Sequence, residues 1–169
     1  MKLIQNRVTP QECETNEYVE RVYSNESSDS LFGDDTSERA TAHSYFYPPY
    51  SDDVESKETY GGDNLDPSIA SAFSFSKLNY GFKFEGKSGY YPPDGFIIDL
   101  PLDIESFETT FTKLQEAKWL DGQTRVVTLA VVSYNYNIKT YVFSTFVFEF
   151  NSGGGCYSSF RHYPFRVDL

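Results

Sequence analysis

The strongest candidate nucleophiles and bases in this 169-residue sequence are two cysteines and two histidines. Cys156 is followed by Arg161 and His162, the cation and base that a reactive thiolate requires. Their spacing permits such chemistry without assembling it. The alternative is a bridge to Cys13, favoured in an oxidising compartment, where closing so long a loop is worth ~4–5 kcal/mol in a chain-entropy picture. His43 lies in an acidic stretch and His162 near the C-terminus, neither with a second ligand at metal spacing, so both are expected to be surface or interface side chains. Gly153-Gly154-Gly155 precedes Cys156 rather than a helix bearing Lys and Ser/Thr, and is expected to be a turn, not a phosphate cradle. No GxSxG or HExxH sequence occurs. The residues offer no catalytic constellation, and a non-enzymatic protein is expected, with no cofactor.

Acidity is the second chemical feature. Between residues 26 and 66 eleven acids (Glu26, Asp29, Asp34, Asp35, Glu38, Asp52, Asp53, Glu55, Glu58, Asp63 and Asp66) face Arg39 and Lys57, a local charge of −9 out of a total of −11. Such a stretch reads first as a solvated loop, and secondly as a weak calcium or basic-partner surface, although no EF-hand spacing is present. The sequon Asn25-Glu26-Ser27 makes Asn25 a glycosylation candidate in a secretory context. Phosphate recognition relies on Lys and Arg, so a charge of −11 argues against nucleic acid and against anionic membrane surfaces.

The length suits one domain over 1–169, divided into a loop-rich acidic segment, 24–68, and a helix-and-sheet core, 80–169. Aromatic residues make up 18% of the chain, so rings should dominate its core. The longest apolar run, Val126 to Val132, is interrupted by Thr128 and falls short of the ~18–20 residues of a spanning helix. Met1-Lys2-Leu3-Ile4 runs directly into Gln5-Asn6-Arg7 and lacks the apolar region of a secretory signal. The expectation is a chain that is cytosolic or cut from something larger.

Gly81 to Gly86 alternates at period two and Phe96 to Leu100 is a short apolar run, which predicts strands; Gly89 to Gly95, dense in turn residues, predicts the connector between them. Asp103 can cap a helix over about 103–119, with Ile104, Phe107, Phe111 and Leu114 as its apolar stripe and Gly122 as its stop. Arg125 to Ser133 and Ile138 to Phe150 read as strands joined by a bend at Tyr134 to Asn137. The second has apolar groups on both faces near its C-terminal end and should be central and covered on both sides there. Ser158 to Leu169 returns as a last strand whose Pro164 favours an edge or a bulge. Trp119 is expected to be core, and Asp121 to pair with Arg125 across the turn. The fold class is α+β: a mainly antiparallel β-sheet with helix packed on it and a long acidic loop region.

Gly95-Phe96-Ile97-Ile98-Asp99-Leu100-Pro101, the helix ending in Trp119-Leu120-Asp121, Thr124-Arg125, Ser133 to Ile138, and Phe148-Glu149-Phe150 with Gly153-Gly154 resemble, in order and spacing, the latter half of the polycystin domain. That domain lies on the extracellular or luminal face of polycystin-2-type cation channels of the TRP superfamily, between the first two transmembrane helices. The resemblance covers about 89–169; residues 1–23 match the first strand loosely and 24–88 carry no alignable motif.

The resemblance implies a non-catalytic assembly and gating-regulatory domain of a calcium-permeable channel subunit, on a ciliary, flagellar or plasma membrane. Its partners would be neighbouring polycystin subunits in a homo- or heterotetramer, its membrane attachment the flanking helices alone, and the isolated domain monomeric. Trp119, Asp121, Thr124 and Arg125 would join helix to sheet; Tyr134, Asn135 and Asn137 would form the hairpin motif; Glu149 and Phe150 would precede the glycine turn. The family's two bonded N-terminal cysteines are represented here by Cys13 alone, and Asn151 replaces the usual proline after Glu-Phe. The reading from a different class is a secreted carbohydrate-binding β-rich module, since aromatic, acidic β proteins stack sugars on exposed rings.

Overall fold

A computed structural model describes residues 1–12, 45–62, 64–78, 83–152 and 154–167. Six strands form one antiparallel sheet in the order β10-β9-β8-β1-β7-β4: β1 (Lys2–Arg7), β4 (Phe75–Ser76), β7 (Gly95–Asp99), β8 (Thr124–Asn135), β9 (Thr140–Phe150) and β10 (Cys156–Phe165). Two small antiparallel pairs accompany it, β2 (Gln11–Glu12) with β3 (Tyr45–Phe46) and β5 (Phe84–Glu85) with β6 (Tyr90–Tyr91). The stretch expected as a plain connector therefore holds the second arm of a hairpin. Its Gly-Tyr-Tyr-Pro-Pro composition concealed a strand of only two residues.

One α-helix among the described residues, α1 (Ile104–Glu116), completes the α+β fold. Asp103 caps it, its carboxylate accepting from the Ser106 amide at 3.2 Å. The stop is not Gly122. Lys118 takes the left-handed conformation at φ 52°, its amide donates to the Gln115 carbonyl, and the Trp119 amide donates to Leu114 at 2.9 Å. These two bonds are a Schellman motif, with Trp119 and Leu114 in the same core providing its apolar clasp. Only part of the predicted stripe is used: Leu114 is buried and Phe107 half-buried, whereas Ile104 and Phe111 are exposed. The helix therefore meets the core through Leu114 and, less deeply, Phe107.

The sheet carries a core on each face. Leu3, Phe96, Ile98 and Val127 pack against Phe73, Leu114 and Trp119 on one side. On the other, Ile4, Val126 and Val147 pack beneath Phe84 and Tyr91 of the β5–β6 hairpin. Strand β9 is central, and its C-terminal end is covered unevenly: Thr145, Val147 and Glu149 are buried on one face, while on the other Phe150 is half-buried against the first core and Phe148 stays exposed. Strand β10 is an edge, as Pro164 requires, and runs against β9 with no shift of register. The β8–β9 bend falls two residues later than expected, with Lys139 at φ 49° in the turn and Tyr134 and Asn135 still paired to Tyr141 and Thr140.

Of the acidic stretch from residue 45 onward, Asp52, Asp53 and Glu58 are exposed as expected, whereas Glu55 is drawn inward. The Glu55 side chain is 8% exposed and accepts from the Tyr50 hydroxyl while pairing with Lys57, both at 3.0 Å. Residues 24–44, with Asn25, His43 and five of the eleven acids, lie outside the described residues.

Candidate functional site

The residues singled out by sequence fall into two buried polar clusters, one on each side of the sheet, and one exposed ribbon. The first cluster surrounds Trp119. The indole is 2% exposed and donates from Nε1 to the Ala72 carbonyl at 2.8 Å. Its own carbonyl accepts from Gln5 Nε2 at 2.9 Å and lies 2.7 Å from the Tyr60 hydroxyl, whose single proton is shared with Gln5 Oε1 at 2.5 Å. Gln5 also donates to Thr124 Oγ1 at 2.6 Å. Thr124 in turn accepts from the Asp121 amide and donates to Asp121 Oδ1. One glutamine of β1 thus holds the helix end, the following turn and the start of β8 together. Burial pushes the Tyr60 hydroxyl up, so it remains a neutral donor.

Asp121 does not pair with Arg125. Its Oδ2 takes Arg7, which is buried on β1 and stacks over Tyr60, with Cζ 3.3 Å from the ring centroid. The register explains the exchange. Asn6 pairs with Val126 but Arg7 with Thr124, so Arg125 is the extra residue of a bulge and its side chain is re-aimed. It is 7% exposed and binds backbone instead, donating to the carbonyls of Pro48 at 3.0 Å, Thr124 at 2.7 Å and Tyr47 at 3.3 Å. Burial lowers its pKa from the ordinary arginine value.

The second cluster is centred on Glu149, 3% exposed on β9. Its carboxylate accepts from the amides of Lys87 at 2.5 Å and Ser88 at 2.8 Å and from the Tyr91 hydroxyl at 2.5 Å. These bonds fasten the β5–β6 hairpin to the sheet. Gly86 is required there, because a Cβ would lie 2.6 Å from the Glu149 carboxyl carbon. Burial raises the Glu149 pKa, the Tyr91 and amide hydrogen bonds lower it, and the net shift is downward. The stability it supplies is therefore present above the unfolded-state carboxylate value of ~4.3 and is lost as pH falls through the lower folded-state value. Glu149→Gln should cost roughly 1–3 kcal/mol at neutral pH and flatten the stability profile below pH ~4. Denaturant midpoints measured against pH for both proteins check this, and parallel profiles would contradict the assignment.

The hairpin motif is exposed. The Tyr134 ring lies tilted against Tyr141 at 4.5 Å between centroids, and Asn135 Oδ1 accepts from the Asn137 amide at 3.0 Å. Because β1 reaches only Ala130 on β8, the far ends of β8, β9 and β10 project beyond it as a three-stranded ribbon with Val132, Tyr134, Tyr136 and Tyr163 exposed. Phe150 packs at the margin of the first core, and the turn after it closes with Asn151 donating to Gly155 at 2.7 Å. Cys156 begins β10, exposed and with a free thiol; its expected partner Cys13 lies outside the described residues. His162 is exposed, 2.9 Å from the Ser144 hydroxyl. Among the described residues no three His, Cys, Asp or Glu side chains converge as a metal site, and no helix is long and apolar enough to cross a membrane.

Sequence reasoning missed Gln5, Arg7 and Tyr60. For Gln5 and Arg7 the local signal is a run of polar residues continuing an apolar strand, Tyr60 sits in the acidic stretch with none, and their partners lie far away in the chain.

Over 117 residues, 68% of this chain, the sequence is 31% identical to the human protein Polycystin-2-like protein 1. The matched stretch is 14% of that protein's length. The family model described as Polycystin domain matches residues 1–167, which takes in β1 with Gln5 and Arg7 as well as the Trp119 and Glu149 clusters and the ribbon. The chain belongs to the polycystin domain family.

Proposed function

We propose that this chain is the extracellular or luminal domain of a polycystin-type, calcium-permeable cation channel subunit, where it serves subunit assembly and the regulation of opening. The observation that carries this reading is the family match over 1–167, combined with a division of labour in the fold. Polar residues on both faces are consumed in fastening elements, and aromatic side chains are left exposed on the projecting ribbon. Rings on a rigid sheet suit contact, because they bury a large area at small entropic cost. The partners are neighbouring subunits, identical or related, in a tetramer. The membrane helices flanking such a domain hold it at high effective concentration, so a contact too weak to dimerise the free domain still forms in the channel. The free domain is then monomeric, and the location is a ciliary, flagellar or plasma membrane.

The test uses the full-length protein. Replacing Tyr134 and Tyr136 together by serine should lower the tetramer fraction about tenfold or more on native gels, since aromatic anchors at interface centres carry ~2 kcal/mol or more each. The 169-residue chain bearing the same changes should stay folded and lose only about 1 kcal/mol or less, because Tyr136 is 81% exposed and Tyr134 gives up only its cross-strand contact with Tyr141. Undiminished assembly together with unaltered channel currents would overturn the reading.

A further inference from the structure

The second core does not end where its cover ends. The β5–β6 hairpin roofs Val126, Val147 and Ile4, and beyond Phe84 the same face of the sheet continues, uncovered among the described residues, through Phe143 and Val132 to Tyr163 and Phe165. Between the hairpin edge and this aromatic floor lies a groove of about 610 Å³, within the ~300–1,000 Å³ of small-molecule sites. Val132, Phe143 and Tyr163 form one cross-strand row along the floor, and Phe143 and Tyr163 stack at 6.5 Å.

The charges at its rim run against the rest of the chain. Arg161 pairs with Glu85 at 2.8 Å, and Lys83 stands beside them with no ion pair among the described residues. Two cations against one carboxylate leave a single positive charge at the mouth of an apolar groove, in a chain whose total is −11. An occupant complementary to both features has a long apolar body and a monoanionic end. We propose that this groove binds a free long-chain carboxylate, its alkyl chain laid over Phe143, Val132 and Tyr163 and its head beside Lys83 and Arg161.

Calorimetric titration of the 169-residue chain with octanoate, decanoate and dodecanoate, each kept below micellar concentration, tests this directly. Saturable one-to-one binding is expected, tightening up to roughly fourfold per added methylene. Decylammonium, with the same body and the opposite charge, should bind at least tenfold more weakly than decanoate. Val132 is 60% exposed, so Val132→Glu leaves folding intact while placing a like charge in the groove, and should abolish decanoate binding. Lys83→Gln should weaken it three- to tenfold and, by removing a like charge, tighten that of decylammonium. The proposal is overturned by absence of saturable decanoate binding, by equal affinity for decylammonium, or by full affinity in a folded Val132→Glu variant. Association with phosphatidylglycerol vesicles in place of the monomeric acid would overturn it as well.

Discussion

Trp119→Ala is expected to lower the unfolding free energy by roughly 3–5 kcal/mol, the range for removing a large aromatic side chain from a packed interior. The indole is buried against Phe73, Leu114 and Phe96 and closes the Schellman motif, so its loss opens a cavity and loosens the helix end together. The Ala72 carbonyl also loses its donor. A domain with a total stability of ~5–15 kcal/mol would survive this only narrowly. Urea unfolding checks it; a shift of less than about 1 kcal/mol would mean that Trp119 does not anchor the core. Trp119→Phe, which keeps most of the packing and drops the hydrogen bond, should fall in between.

The second large effect belongs to Arg7. Arg7→Ala should cost roughly 3 kcal/mol, the low end for breaking a buried ion pair, because Asp121 keeps 32% of its side chain in water. The guanidinium is held by stacking as much as by charge: among the described residues its Nε finds no acceptor, while Tyr60 lies against its face. A double-mutant cycle between Arg7 and Asp121 should give a coupling above about 1 kcal/mol, whereas the cycle between Arg125 and Asp121 should give less than half of that. The reverse ranking would restore the pairing expected from sequence and refute the bulge at Arg125.

Much of the second half of the fold could be read directly. Asp103, the long β-branched runs of β8 and β9, and Pro164 on the edge strand are local signals, and local physics decides them. The burial of Trp119 was legible for the same reason, since a lone large ring at a helix end has little alternative. What escaped was set by distant partners. Asp121 lies four residues from Arg125, which suggested a pair; a one-residue register shift between β1 and β8 turned Arg125 away and brought in Arg7 from the other end of the chain. The helix stop was misread because Lys118, a residue with no special liking for left-handed φ, adopts it where packing of Trp119 on Leu114 outweighs the strain. Tyr50, Glu55 and Tyr60 sit in a segment whose composition predicts solvation, yet each is drawn inward by one specific partner that composition cannot show.

The position of β1 between β7 and β8 governs how the chain comes together. Leu3 pairs with Ile98 and with Leu129, so β1 must wait for partners that are synthesised long after it. At ~5–20 residues per second of synthesis, that delay is on the order of ten seconds, during which a nascent Leu-Ile-Gln-Asn-Arg strand has no mate. The β8–β9–β10 meander closes through short links as it emerges and can form early, whereas insertion of the N-terminal strand closes the longest loops and comes last.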